Sequence, residues 1–200
     1  MGTCFDPIIN FIDSQFVSAV AGGAIGGLIT FLGVKKTIDY EKSKVQHIED
    51  EEVKTFCQAI QTELETILAR YNKSVGEKLK NHPPEEPFIY YYYASQDYFT
   101  IFNSNAHMIG KIKEKALRTK VVEAYIYAKS IIDSFKLNNE TVSQYQEFHI
   151  RANNTGDKYD NEKRDNYLFV LKQNTPQLKD LNTAVNDKIM AVLEALKKYQ

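Results

Sequence analysis

Four histidines, two cysteines and a run of glycines are the residues of this 200-residue chain whose types and spacing bear most directly on chemistry. His47, His82, His107 and His149 stand far apart, with no two of them three to five residues from each other. No helix can therefore aim a histidine pair, or a Glu-x-x-His pair, at a metal ion. Cys4 and Cys57 form no C-x-x-C unit and are too few for a disulfide framework. Cys57 lies beside an apolar stripe and reads as a small hydrophobe rather than a nucleophile. Asn103 and His107 are four apart on a predicted helix, so they share a face that can hold a small polar ligand or a partner. The acidic run Glu49-Asp50-Glu51-Glu52 points around a helix rather than at one spot, and reads as a solvated face. No nucleophile-elbow, kinase or deaminase signature occurs. No enzyme activity, cofactor or metal is expected.

The glycines fall in Phe16–Lys36, FVSAVAGGAIGGLITFLGVKK. A phosphate loop needs G-x-x-x-x-G-K-[ST], and a dinucleotide loop G-x-G-x-x-G after a strand; positions 22, 23, 26, 27 and 33 fit neither register. From Ser14 to Val34 there is no ionisable residue. Phe16–Val34 matches the length of one membrane-spanning helix, which needs about 20 apolar residues. Its polar side chains, Ser18 and Thr30, can bond back to the helix. A cleaved signal peptide would carry a basic start, whereas Asp6 and Asp13 precede this segment. Neither Cys4 nor Gly2 sits in a good lipidation pattern. Lys35, Lys36, Lys42 and Lys44 crowd the C-terminal flank, which puts that side in the cytoplasm and the N-terminus outside. Ser18, Ala19, Gly22, Gly23, Gly26 and Gly27 make overlapping small-xxx-small patterns, a groove for helix packing in a membrane and hence for a homo-oligomer.

The elements that follow are helical. Net charge is −1, from 25 basic and 26 acidic residues, so there is no global field and direct binding of nucleic acid is not expected. Residues 1–15 read as a short extracytoplasmic or interfacial segment, 16–34 as the membrane span, 35–54 as a charged stalk helix and 55–200 as a cytoplasmic helical bundle. From Val53 apolar residues recur in steps of three and four through Phe56, Ile60, Leu64, Ile67, Tyr71, Val75 and Leu79. Asn81-His82-Pro83-Pro84 breaks that helix. Phe88–Tyr93, FIYYYY, reads as an extended segment laid on the bundle. Ser95 caps a helix over 97–109, closed by Gly110. Leu117, Val121, Ala124, Ala128, Ile131 and Phe135 mark another, ended by Asn138-Asn139. Thr141 starts a further helix, a loop runs over 153–161, a helix lies near 162–173, and Thr175-Pro176 opens the last one. The class is all-α: one N-terminal transmembrane helix and a bundle of four to six helices.

Two segments, Asp97–Ile112 (DYFTIFNSNAHMIGKI) and Leu117–Phe135 (LRTKVVEAYIYAKSIIDSF), resemble a group of uncharacterised bacterial proteins. Those carry one N-terminal membrane helix, a charged stalk and a helical cytoplasmic part. The likeness lies at Tyr98, Asn105, Ile109 and Gly110, and at Ala124, Ala128, Ile132 and Asp133, and brings no catalytic residues. In architecture the chain also resembles membrane effectors of bacterial antiphage systems of the retron or cyclic-nucleotide type. That resemblance implies an inner-membrane protein that oligomerises through its Gly-rich span and breaks membrane integrity. A cytoplasmic protein or small-molecule trigger would start it. A passive anchor that recruits a cytoplasmic partner is the alternative.

Overall fold

The computed structural model describes residues 6–199, with the side chains of residues 6–18, 20, 21, 24, 25 and 96 outside the description. The chain divides into two units, Met1–Glu51 and Glu52–Gln200. The described residues are helix, turn and extended chain, all-α and 87% helical.

In the first unit the described backbone is helical, part of α1 (Asp6–Tyr71). Thr30 Oγ1 donates to Gly26 O at 2.9 Å and Thr37 Oγ1 to Gly33 O at 3.0 Å, so both hydroxyls are satisfied within the helix. A Cβ built on Gly22, Gly23, Gly26 or Gly27 would meet nothing within 4 Å. Leu28, Ile29, Phe31 and Leu32 are all more than half exposed. Among the described residues no helix is long and apolar enough to cross a membrane. Of the segment 16–34, the side chains of Phe16, Val17, Ser18, Val20, Ala21, Ala24 and Ile25 lie outside those residues. All side chains of the interfacial segment 1–15, and the backbone of residues 1–5, also lie outside them.

In the second unit three long helices carry the core: the C-terminal part of α1, α5 (Lys115–Thr155) and α6 (Lys158–Leu196). Three short helices, α2 (Glu77–Asn81), α3 (Thr100–Ser104) and α4 (Ala106–Ile109), lie between α1 and α5. The predicted α1 stripe is inside: Ile60, Leu64, Tyr71, Val75 and Leu79 are all buried. Between α1 and α2 the backbone makes a π-helical turn, Asn72–Gly76. The stripe passes through this turn in the expected steps of four, with Tyr71, Val75 and Leu79 buried and Ser74 and Lys78 exposed.

Two expected breaks do not occur. Asn138-Asn139 does not end α5, which runs on to Thr155 and absorbs the helix expected from Thr141. The stripe Leu117, Val121, Ala124, Ala128, Ile131, Phe135 continues in the same steps through Asn138 to Val142, so packing keeps the helix going. Likewise Thr175-Pro176 opens no helix but lies inside α6. Leu171, Leu178 and Val185, seven apart, are buried on both sides of it. Each contributes about 1.5–3 kcal/mol, which together outweighs the ~3 kcal/mol cost of an interior proline. The turn between α5 and α6 shrinks to Gly156-Asp157. Gly156 takes φ 67°, the left-handed helix end that glycine tolerates. Asp157 caps α6 by accepting from the N–H groups of Tyr159 (3.1 Å) and Asp160 (3.3 Å). The helix expected over 97–109 is broken into a 3-10 turn, Gln96–Tyr98, then α3 and α4, parted at Asn105. Ser95 caps the first of these, its Oγ accepting from Asp97 N at 3.1 Å.

The segment before it is extended, as expected for FIYYYY, and α5 and α6 hold it. Thr175 Oγ1 accepts from Phe88 N at 3.0 Å. Asn138 Nδ2 donates to the carbonyls of Phe88 and Tyr90. The Asn139 amide accepts from Tyr92 N at 3.1 Å and donates to Tyr92 O at 2.8 Å. Phe88 is fully buried, while Tyr91 and Tyr93 stack on each other on the outside at 5.8 Å.

At the π turn, a Cβ on Gly76 would come within 2.4 Å of Asn72 Oδ1 and 2.8 Å of Tyr71 Cε1. Neither neighbour is free to retreat. Asn72 Nδ2 donates to Asn186 Oδ1 at 2.8 Å, and Tyr71 OH donates to Asn182 Oδ1 at 2.7 Å. Gly76→Ala is therefore expected to cost about 1–3 kcal/mol in urea unfolding, whereas Ser74→Ala on the exposed side of the same turn should stay within about 0.5 kcal/mol of the parent.

Candidate functional site

Between α1, residues 92–101, α5 and α6 lies a cavity of about 350 Å³. Its wall is mostly aliphatic, with Ile67, Leu68, Ala128, Ile131, Val185 and Ile189 among the lining residues. A carboxyl group in the wall and a guanidinium at the rim frame it, beside the hydroxyls of three threonines and three tyrosines, Tyr71, Tyr92 and Tyr98.

The group in the wall is Glu63. Its neighbours along the stripe are Ile60 and Ile67, so α1 carries this carboxylate on its apolar face, and Glu63 is only 8% exposed. Its Oε1 accepts from Ile101 N at 2.6 Å, and its Oε2 from Phe102 N at 3.2 Å and Tyr125 OH at 2.6 Å. Ile101 and Phe102 are the second and third residues of α3, whose own N-cap, Phe99, has no capping side chain. Glu63 thus caps a helix from another part of the chain and sets a negative charge at its positive end. Burial, and then the hydrogen bond and charge of Glu63, push the Tyr125 phenol far above its ordinary pKa. Tyr125 stays a donor. Its ring is stacked on Phe102 at 3.8 Å and edge-on to Phe99 at 5.6 Å.

The group at the rim is Arg70. It is exposed, lies over the Tyr98 ring at 4.6 Å and donates to Tyr98 OH at 3.2 Å. Burial raises the Tyr92 phenol pKa, and the nearby Arg70 charge opposes that rise. Tyr71, also in the lining, has its phenol pKa pushed up by burial and then by Tyr92. Beyond it Asn182, Asn186 and Asn72 form a hydrogen-bonded chain that ties the π turn to α6. The cavity presents neutral phenols, a committed carboxylate and one guanidinium. Such a set has the chemistry to hold a molecule by apolar contact, hydrogen bonds and charge.

The residues singled out from the sequence lie elsewhere. Asn103, in α3, accepts from Lys129 Nζ at 3.0 Å. His107, in α4, is exposed, and the break at Asn105 places the two on different helices. Neither lines the cavity. Of the residues proposed for packing in a membrane, Ala19, Gly22, Gly23, Gly26 and Gly27 are exposed along α1, and the side chain of Ser18 is outside the described residues. Cys57 is buried in the core with its thiol pushed up to about 11 by burial, with Lys198 opposing. Glu63 and Arg70 were not picked out from the sequence, and Tyr98 only as one of the residues that carry the resemblance. The signal for Glu63 was a carboxylate three residues from Ile60 and four from Ile67, inside an apolar stripe. Nothing local marked Arg70 or Tyr98, which the fold brings together from 28 residues apart.

Three outcomes follow. Glu63→Gln replaces one carboxylate oxygen with an NH2, which then faces either the Ile101 N–H or the Phe102 N–H and the Tyr125 phenol, and should cost about 2–3 kcal/mol in chemical unfolding. Tyr125→Phe should cost ~1–2 kcal/mol, with less than additive loss in the double variant because both remove one network. Iodoacetamide at neutral pH should leave Cys57 unlabelled in the folded chain and label it once the chain is unfolded, as read by mass spectrometry. Comparison of the chain with protein-family models, with curated proteins and with solved structures finds no match.

Proposed function

We propose that this is a single-pass protein of a bacterial inner membrane, with residues 16–34 as its span and the helical bundle in the cytoplasm. The observation that carries the reading is an uncharged stretch, Ser14–Val34, that lies within one helix. Its described large side chains face outward: Leu28, Ile29, Phe31, Leu32 and Val34 are 53–66% exposed. A surface of that kind needs lipid or another apolar helix to cover it. Lys35, Lys36, Lys42 and Lys44 follow directly and set the orientation.

In its sharper form the protein is a defence effector. Copies associate through the small-residue face of Gly22, Gly23, Gly26 and Gly27, and the assembled spans break the permeability barrier. Open space around all four glycines supports such an approach of backbones. The second reading is an anchor that recruits a cytoplasmic partner, and the outward-facing stack of Tyr91 and Tyr93, the latter 78% exposed, favours it.

Alkaline carbonate extraction of cells expressing the full chain should leave it in the membrane pellet; recovery in the supernatant would sink both readings. Induced expression should then collapse the signal of a potential-sensitive dye. Gly22→Ile with Gly26→Ile should restore the signal while the protein stays in the pellet. A normal potential at high expression of the parent chain rejects the effector and leaves the anchor.

A further inference from the structure

The 350 Å³ cavity is within the size of small-molecule sites, roughly 300–1,000 Å³. We infer that it binds a medium-chain carboxylate amphiphile, apolar tail inward and anionic head at Arg70. The tail is assigned by the wall. Ala128, Ile131, Ile132, Val185 and Ile189 offer only carbon to an occupant. Each methylene moved from water onto such a surface tightens binding about fourfold.

The head is assigned by the rim. Arg70 makes its side-chain contacts with Tyr98, a ring face and a phenol oxygen, and no carboxylate pairs with it among the described residues. A guanidinium has five N–H donors in a planar fork, and one bond to Tyr98 leaves most of them free for a planar carboxylate. Tyr98 and Tyr92 add phenols beside the same charge. Glu63 does not oppose this arrangement. Both its oxygens are already committed to the α3 N–H groups and Tyr125, so the anionic head stays at the rim and the tail runs past the carboxylate. A cationic amphiphile fits worse, because its head would meet Arg70.

The inference does not depend on the membrane reading, and the test is built to separate the two. A photoreactive diazirine analogue of decanoate is added to the full chain with lipid nanodiscs present, and labelled residues are mapped by mass spectrometry. Saturable label is expected on the segments that line the cavity, displaced by unlabelled decanoate. Decanol should displace it about tenfold less well, the worth of one charge-assisted hydrogen bond. Arg70→Gln, at an exposed position, should erase the difference between the two competitors. Ala128→Leu should lower cavity label by filling the site, without changing label elsewhere. Label confined to residues 16–34, label that does not saturate, or equal competition by decanol and decanoate in the parent chain would each overturn the assignment.

Discussion

A chain segment that leaves the helix must find partners for its backbone N–H and C=O groups, and the second unit is organised around meeting that demand. Residues 82–112 run across the long helices with little regular structure of their own. Side chains set in the helical seams, among them Glu63, Asn138, Asn139 and Thr175, supply what the backbone lacks. Each hydrogen bond is worth only about 0.5–1.5 kcal/mol net, but a buried group left unpaired costs about 1–3. The requirement is therefore stricter than the gain. It explains why a carboxylate, two amides and a hydroxyl interrupt stripes that would otherwise be all hydrocarbon.

The same groups explain the cavity. Glu63 fixes the start of α3 and the phenol of Tyr125. The Asn139 amide of α5 fixes Tyr92. Between these two attachments the crossing segment bridges over Ala94, Tyr98 and Phe99 rather than packing flush on α1 and α5. A space is left whose walls are set by polar anchors at its two ends and by hydrocarbon between them.

This also marks what could be read from the sequence. The apolar stripes of α1 and α5, the proline break after Asn81 and the extended FIYYYY were legible, because burial imposes a period that shows in residue type. Asn138-Asn139 and Thr175-Pro176 misled, because the rule that such residues end or start helices describes helices in water. In both places the stripe ran straight through, and tertiary packing outweighed local preference. Asn103 and His107 shared a face only on the premise of one unbroken helix, and the chain parts at Asn105. The cavity itself was illegible, since Glu63, Arg70, Tyr98 and Ala128 come from distant stretches and no spacing links them.

The Asn139 amide has a further consequence. By accepting from and donating to the same residue, Tyr92, it does for one position what a neighbouring strand does for a whole ladder. A ladder tolerates sliding by two residues, because the next pair of groups looks like the last. A single amide does not. Tyrosines at 90, 91, 92 and 93 are nearly interchangeable as side chains, so composition alone would let this stretch settle in several frames. With Thr175 and Asn138 holding Phe88 and Tyr90, Asn139 works as an index mark, selecting which of four equal letters is read as the inner one.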